Sequence, residues 1–303
     1  MIPKFTNNKV LCIGEILWDN LSGRSMPGGA LLNMAYHFHN NNLPVTLVSK
    51  VGPDTRGIEL LGYMKKTGLN TDAIYFDDSL STSEVDVNID RFKNIRYNIG
   101  EPVAWDNLKI NMKIVDCAGT AGAIVYGSLA SRNKVTRETI NVLLNFDIVK
   151  IMNVNLRPPY DKKEIVEPLL MKADIVKLNE NELDKILGWH NKVFSNQKDQ
   201  LKWFLEYYKC EIICLFKEKN GASVFYDGIL LTHPGYKIET TDRVGTGAAF
   251  LAGFISSLIA HKTIYQSLDV ACATAALIAS SEGSISDYNL QDINSFNANI
   301  LNK

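Results

Sequence analysis

Apolar residues fall along this chain in two alternating kinds of block. Short continuous runs recur at Val10–Gly14, Val45–Val51, Ala123–Tyr126, Ile148–Val154, Ile175–Leu178 and Ile212–Phe216. Runs of this length with no polar face predict strands buried on both sides, as in a mainly parallel sheet. Helical spacing follows the early runs, at Ala30–Asn40, opened by Pro27-Gly28-Gly29, and at Gly57–Thr67. Val244–Ala260 and Leu268–Ser281 are longer, rich in small and apolar residues, and predict two buried helices. Strands alternating with helices in this way predict parallel βαβ units and an α/β fold.

One stretch breaks the pattern. From Val85 the sequence V-D-V-N-I-D-R alternates strictly, with Val85, Val87 and Ile89 on one face and charged or amide groups on the other. That predicts a half-exposed antiparallel strand between Ser83 and Asn98, with a turn at Asp90–Asn94 and a returning strand at Ile95–Ile99. It reads as a small sheet projecting from the main body. No low-complexity linker, charge block or repeat divides the chain, so one α/β domain with a small β lid is the simplest architecture.

Composition narrows the partners. The 303 residues carry 32 Lys+Arg against 33 Asp+Glu, a net charge of -1 that gives no electrostatic basis for nucleic acid or an anionic membrane. Cys12, Cys117, Cys210, Cys214 and Cys272 are scattered and mostly within apolar runs, so they read as buried free thiols in a cytoplasmic protein. Cys210 and Cys214 would face together on a helix, but they lack nearby His or Cys partners for zinc. The run from Val10 to Trp18 is broken by Glu15 and has no small-residue cleavage site, so no signal peptide is expected. No segment approaches ~20 uninterrupted apolar residues, so no membrane span is expected.

The candidate chemistry centres on T-T-D-R-V-G-T-G-A-A-F, Thr240 to Phe250. Gly245, Thr246 and Gly247 form a tight turn into a helix whose amides and positive dipole end would face an anion. A strand-to-helix turn with no ligand is the plain alternative. A phosphoryl-transfer enzyme would place a general base just after such a loop, and this chain has Ala248. There is no G-x-x-x-x-G-K-[ST] segment, and Phe250 stands where a dinucleotide loop has its third glycine.

Elsewhere, Asp19 after the first strand and Asn33 in the following helix suit vicinal hydroxyls at the carboxyl ends of parallel strands. A solvated Asp and a locally capping Asn would leave the same sequence trace. Asn179 and Glu182 are three apart in K-L-N-E-N-E, which fits a capping box. It equally fits an amide and a carboxylate beside a hydrated Mg²⁺ near phosphates, and both can hold at once.

Taken together, G-E-I-L-W-D (Gly14–Asp19), P-G-G-A-L-L-N-M-A (Pro27–Ala35), E-P-V-A-W-D (Glu101–Asp106), Y-G-S-L-A-S-R (Tyr126–Arg132), N-L-R-P-P (Asn155–Pro159), V-K-L-N-E-N-E-L (Val176–Leu183) and the late glycine loop resemble the PfkB, or ribokinase-like, carbohydrate kinases. The fructokinase branch is the nearest. The resemblance implies a ribokinase-like three-layer sandwich, a mostly parallel sheet between helices, as a single α/β domain over 1–303. Lid strands would come from about 15–25 and 80–103. It implies ATP-dependent phosphorylation of a sugar hydroxyl, of fructose or a similar small-molecule sugar. ATP and Mg²⁺ are the implied cofactors, with a monovalent cation as a third candidate. Sugar contacts would come from Asp19, Gly28, Gly29, Asn33 and Arg157, and an anion hole from Gly245 to Ala248. Lys177, Asn179, Phe216, Glu218 and Asp242 would line the nucleotide side, and Asn179 and Glu182 the metal. An apolar lid face, together with the pairing of family members through their lids, suggests a homodimer.

Departures from the family pattern cluster on the nucleotide side. The family's D-T-V-G-A-G-D is D-R-V-G-T-G-A here, so Arg243 replaces Thr and Ala248 replaces the catalytic Asp. The family's T-x-G is Phe216-Lys217-Glu218, which brings in a larger side chain, a negative charge and a Cβ. Impaired turnover is therefore expected. The alternative is a sugar-binding sensor or regulatory protein without turnover.

Overall fold

The computed structural model describes residues 2–21, 23–89, 95–241, 244–281, 283, 285, 288, 289 and 291–293. The chain begins with β1 (Val10–Ile13), then β2 (Leu17–Leu21) and β3 (Arg24–Gly28), then α1 (Ala30–Asn40), β4 (Val45–Val51) and α2 (Thr55–Lys66). Next come β5 (Ile74–Phe76), β6 (Glu84–Ile89), β7 (Ile95–Ile99), α3 (Met112–Gly119), β8 (Ala123–Gly127) and α4 (Lys134–Leu143). The middle continues with β9 (Val149–Asn153), α5 (Lys163–Leu170), β10 (Ile175–Asn179), α6 (Glu180–Gly188) and α7 (Gln197–Tyr208). It closes with β11 (Ile212–Phe216), β12 (Ala222–Tyr226), β13 (Ile229–His233), α8 (Thr246–Ile259) and α9 (Ile264–Ala279).

Among the described residues, nine strands form one sheet in the order β13-β12-β11-β10-β9-β8-β1-β4-β5. Its pairings are parallel from β5 across to β11, and antiparallel at β11–β12 and β12–β13. The continuous apolar runs are explained by what covers them. In β1, Val10 and Cys12 pack with α1, α8 and α9 on one face, while Leu11 and Ile13 pack with α3 to α7 on the other. β11 divides the same way, with Ile212, Cys214 and Phe216 on the first face and Ile213 and Leu215 on the second. Both faces are dry, so neither needs a polar alternate.

A second sheet, β3-β2-β6-β7, stands apart from the first. β6 runs antiparallel to β7, as the alternation predicts, but parallel to β2. Val85 is buried against Leu17, Ile99, Val103, Trp105 and Leu129. That residue of the apolar face is therefore used within the chain rather than offered to a second copy. The side chains of Val87 and Ile89, and the turn at Asp90–Asn94, lie outside the described residues.

Several boundaries move for local reasons. α2 starts at Thr55 because Asp54 caps it, accepting from the Gly57 amide at 2.8 Å. α9 starts at Ile264, four residues before the predicted Leu268, because Thr263 and Gln266 form a capping box. Cys214 lies in β11 and Cys210 just before it, so the pair never shares a helical face. The free thiols Cys12, Cys210, Cys214 and Cys272 are buried, and Cys117 is half-buried.

Candidate active site

The predicted sugar side assembles where β1 leads into the second sheet. Asp19 sits in β2 opposite Met26 of β3. A Cβ at Gly28 would collide with the Asp19 carboxylate, so glycine is what lets the backbone lie against it. Gly29 has φ 104, and a Cβ there would come within 2.6 Å of the Glu15 carbonyl oxygen. Gly29 then caps α1, and the buried Asn33 donates its backbone amide to the Gly29 carbonyl at 3.0 Å.

Arg157 lies in the loop after β9, and its charge acts on Glu15, Asp19 and Lys177 alike. The guanidinium is thus within electrostatic reach of residues from both predicted halves of the site. Burial pushes the Asp19 carboxyl up to about 6, with Arg157 opposing.

The phosphate side forms at the start of α8. Gly245, φ 83, is its N-cap, and among the described residues no side chain caps the helix. The amides of Ala248 and Ala249 both donate to the Gly245 carbonyl at 3.0 Å. Of Gly245, Thr246, Gly247 and Ala248, the last thus brings neither a carboxylate nor an uncommitted amide to an anion. The bare backbone at Gly247 also has a second use beyond the phosphate approach read from the sequence. A Cβ there would stand 2.8 Å from the Lys177 ammonium.

Lys177 is buried, with its ammonium 5.7 Å from the centre of the Phe216 ring. Burial lowers its pKa, with the charge of Glu182 opposing. Asp242 and Arg243 lie outside the described residues.

Asn179 and Glu182 form the capping box of α6. Asn179 Oδ1 accepts from the Glu182 amide, and Glu182 Oε2 from the Asn179 amide, each at 2.8 Å. Glu182 Oε1 accepts from the Leu156 amide at 2.9 Å, which ties the loop carrying Arg157 to the start of α6. Each carboxylate oxygen keeps a lone pair, so the pair fits a hydrated Mg²⁺ held through its waters. Among the described residues no three His, Cys, Asp or Glu side chains gather as a metal site.

Phe216 and Glu218, predicted on the nucleotide side, both line a cavity. Phe216 packs on Phe250, ring centres 5.0 Å apart, and forms a wall of a cavity of about 320 Å³. Glu218 has φ 50, so it keeps the left-handed backbone that glycine would adopt. Thr246, the loop 234–238 and a stripe of small residues on α9, including Cys272, Ala276 and Ala279, are among the rest of its lining.

Sequence reasoning missed three features. The cavity loop is one, because its place depends on the β12–β13 hairpin. Another is Arg132, whose Nε and Nη2 donate to Asp106 at 2.9 and 2.7 Å while its guanidinium lies between the rings of Trp105 and Tyr160. It joins two of the motifs, and Tyr160 just past a third, into one cluster. The third is Glu15, which is buried, and neither of its carboxylate oxygens meets a hydrogen-bond partner. Burial pushes that carboxyl up to about 7; the Glu15 and Ala30 amides oppose the shift from outside hydrogen-bond geometry, as do the charges of Arg157 and Arg132. A charge interrupting the apolar run Val10–Trp18 was the available signal.

A mostly parallel sheet between helix layers, with a smaller separate sheet, defines the ribokinase-like class of sugar kinase folds. Residues 11–291 match the pfkB family carbohydrate kinase, and the chain belongs to that family. It is 25% identical to an ATP-dependent 6-phosphofructokinase of Thermoanaerobacterium thermosaccharolyticum, over 92% of this chain and 90% of that protein. It is 23% identical to Fructokinase-2 of Solanum habrochaites, over 91% and 92% of the two chains. The structure of a fructokinase with bound ATP from Xylella fastidiosa superposes with a TM-score of 0.83 at 20% identity, covering 97% of this chain and 99% of that one.

Proposed function

We propose that this chain binds a small sugar, fructose or a close relative, beneath the second sheet and an adenine nucleotide in the cavity beside Phe216. It transfers phosphate between them slowly. The single domain spans the chain, with the second sheet as its lid. Asp19, Gly28, Gly29, Asn33 and Arg157 hold the sugar, and Lys177 and the turn at Gly245–Gly247 hold the phosphates. Asn179 and Glu182 orient the waters of Mg²⁺, which supplies charge neutralisation on the phosphates when bound.

The observation that carries the reading is Ala248 at the start of α8, in a loop otherwise shaped for an anion. With a methyl group there, no side chain at that position takes the proton from the attacking sugar hydroxyl. A positioned base contributes about 10²–10⁴-fold, whereas positioning and charge stabilisation supply much of the rest in phosphoryl transfer. The open cavity favours this reading over one without nucleotide. Among the described residues no helix is long and apolar enough to cross a membrane, in keeping with a cytoplasmic kinase homologue.

The test is ADP release from ATP and fructose by the unmodified chain and by Ala248→Asp. The variant is expected to be faster by about 10²-fold or more. Turnover near ~10 s⁻¹ in the unmodified chain would overturn the impaired reading. Sugar binding with no turnover in either protein would establish a non-catalytic sugar binder.

A further inference from the structure

The cavity beside Phe216 has two facing walls. One is α9, where Asp269, Cys272, Ala276 and Ala279 follow one another at helical spacing along a single stripe. The last three line the cavity, and Asp269 lies one turn below them without lining it. The other wall is the loop running from Pro234 to Ile238.

Asp269 fastens that loop to the helix through one oxygen. Its Oδ1 accepts from the Tyr236 hydroxyl at 2.5 Å and lies 3.1 Å from His233 Nε2. His233 Nδ1 accepts the Gly235 amide at 3.0 Å, which requires the ring proton on Nε2. The imidazole therefore donates to Asp269 and passes the restraint on to the loop backbone. On its other side the loop meets the turn before β12, where a Cβ at Gly235 would come within 3.0 Å of the Gly221 backbone. The loop is backed by main chain there, so its remaining freedom is to swing away from α9. The Asp269 contacts oppose that movement.

We propose that Asp269 is a positioning residue that sets the width of this cavity for a flat heteroaromatic base, acting through Tyr236 and His233 without touching the ligand. The proposal rests on reading the cavity as the nucleotide site. Small α9 side chains line this cavity together with Pro234 and Tyr236. A ring held between two walls loses a quarter to a half of its dispersion contact when one wall retreats by about 0.5–1 Å.

The experiment uses the full chain, with adenosine as the calorimetric probe, and amide hydrogen exchange of Gly235 to Ile238 measured without ligand. Asp269→Ala is expected to weaken adenosine at least about 10-fold and to speed exchange in the loop, with its urea midpoint marking it as folded. Asp269→Asn keeps an oxygen able to accept both bonds and should stay within about threefold of the unmodified chain. Tyr236→Phe, which removes one of the two bonds, should fall between them. Adenosine affinity unchanged in Asp269→Ala, or loop exchange unchanged, would overturn the clamp while leaving the cavity's assignment standing. An unmodified chain that takes up no adenosine would overturn the nucleotide reading itself, and the proposed ligand with it.

Discussion

At the scale of single residues, two side chains stand where their chemistry is costly. Glu218 is exposed and holds φ 50, a backbone region that costs an L residue about 1–2 kcal/mol. Glu218→Gly is expected to raise stability by about 1 kcal/mol in urea unfolding, part of the gain being returned as unfolded-chain entropy. Glu15 is costly through burial. Its folded pKa of about 7 lies above the ordinary 4.5, so the folded state holds the proton more tightly than the unfolded one. Stability is fully present below about 4.5 and is lost as pH rises through about 7. Glu15→Gln cannot titrate. Between pH 4.5 and 7 the unmodified chain should therefore lose on the order of 3 kcal/mol relative to this variant, measured by urea unfolding across that range. A pH-independent difference would mean that Glu15 is ionised in a compensated setting.

Among the elements, the helix starts differ in whether a side chain closes them, and α5 begins without a side-chain cap among the described residues. α2, α6 and α9 are closed by side chains from Asp54, Asn179 with Glu182, and Thr263 with Gln266. α1 and α8 begin at glycines with no side-chain cap, and both start at the predicted ligand loops. A capping side chain would take the place that a sugar or phosphate oxygen needs. Glu182 adds a link between elements, since one oxygen closes α6 and the other holds the Leu156 amide beside Arg157. Glu182→Ala should cost about 1–3 kcal/mol in magnesium-free buffer, because it leaves two amides without their acceptor. A cost that appears only when Mg²⁺ is added would assign Glu182 to the metal alone.

For the whole molecule, the proposed sugar side is built on β1, β2 and α1 and the proposed nucleotide side on β11, α8 and α9, with the charge of Arg157 felt at Asp19 and at Lys177. The two sides share few walls, so each ligand should stabilise the fold by itself. Fructose or adenosine at 100 times its Kd is expected to add about 2.7 kcal/mol, the increments summing when both are present; thermal unfolding with each and with both checks this. The architecture was largely legible beforehand. Buried strands read as unbroken apolar runs, and Asp19 and Asn33 read as hydroxyl-binding candidates at the carboxyl ends of parallel strands. These are local properties, set by period and turn chemistry within a few residues. What the chain alone could not show is that Phe216 borders a cavity, or that Gly247 makes room for Lys177. Nor could it show that Asp269 reaches back to Tyr236 and His233, 33 and 36 residues away. Those answers depend on distances between segments far apart in the chain, which side-chain packing decides only once the sheet has brought them together.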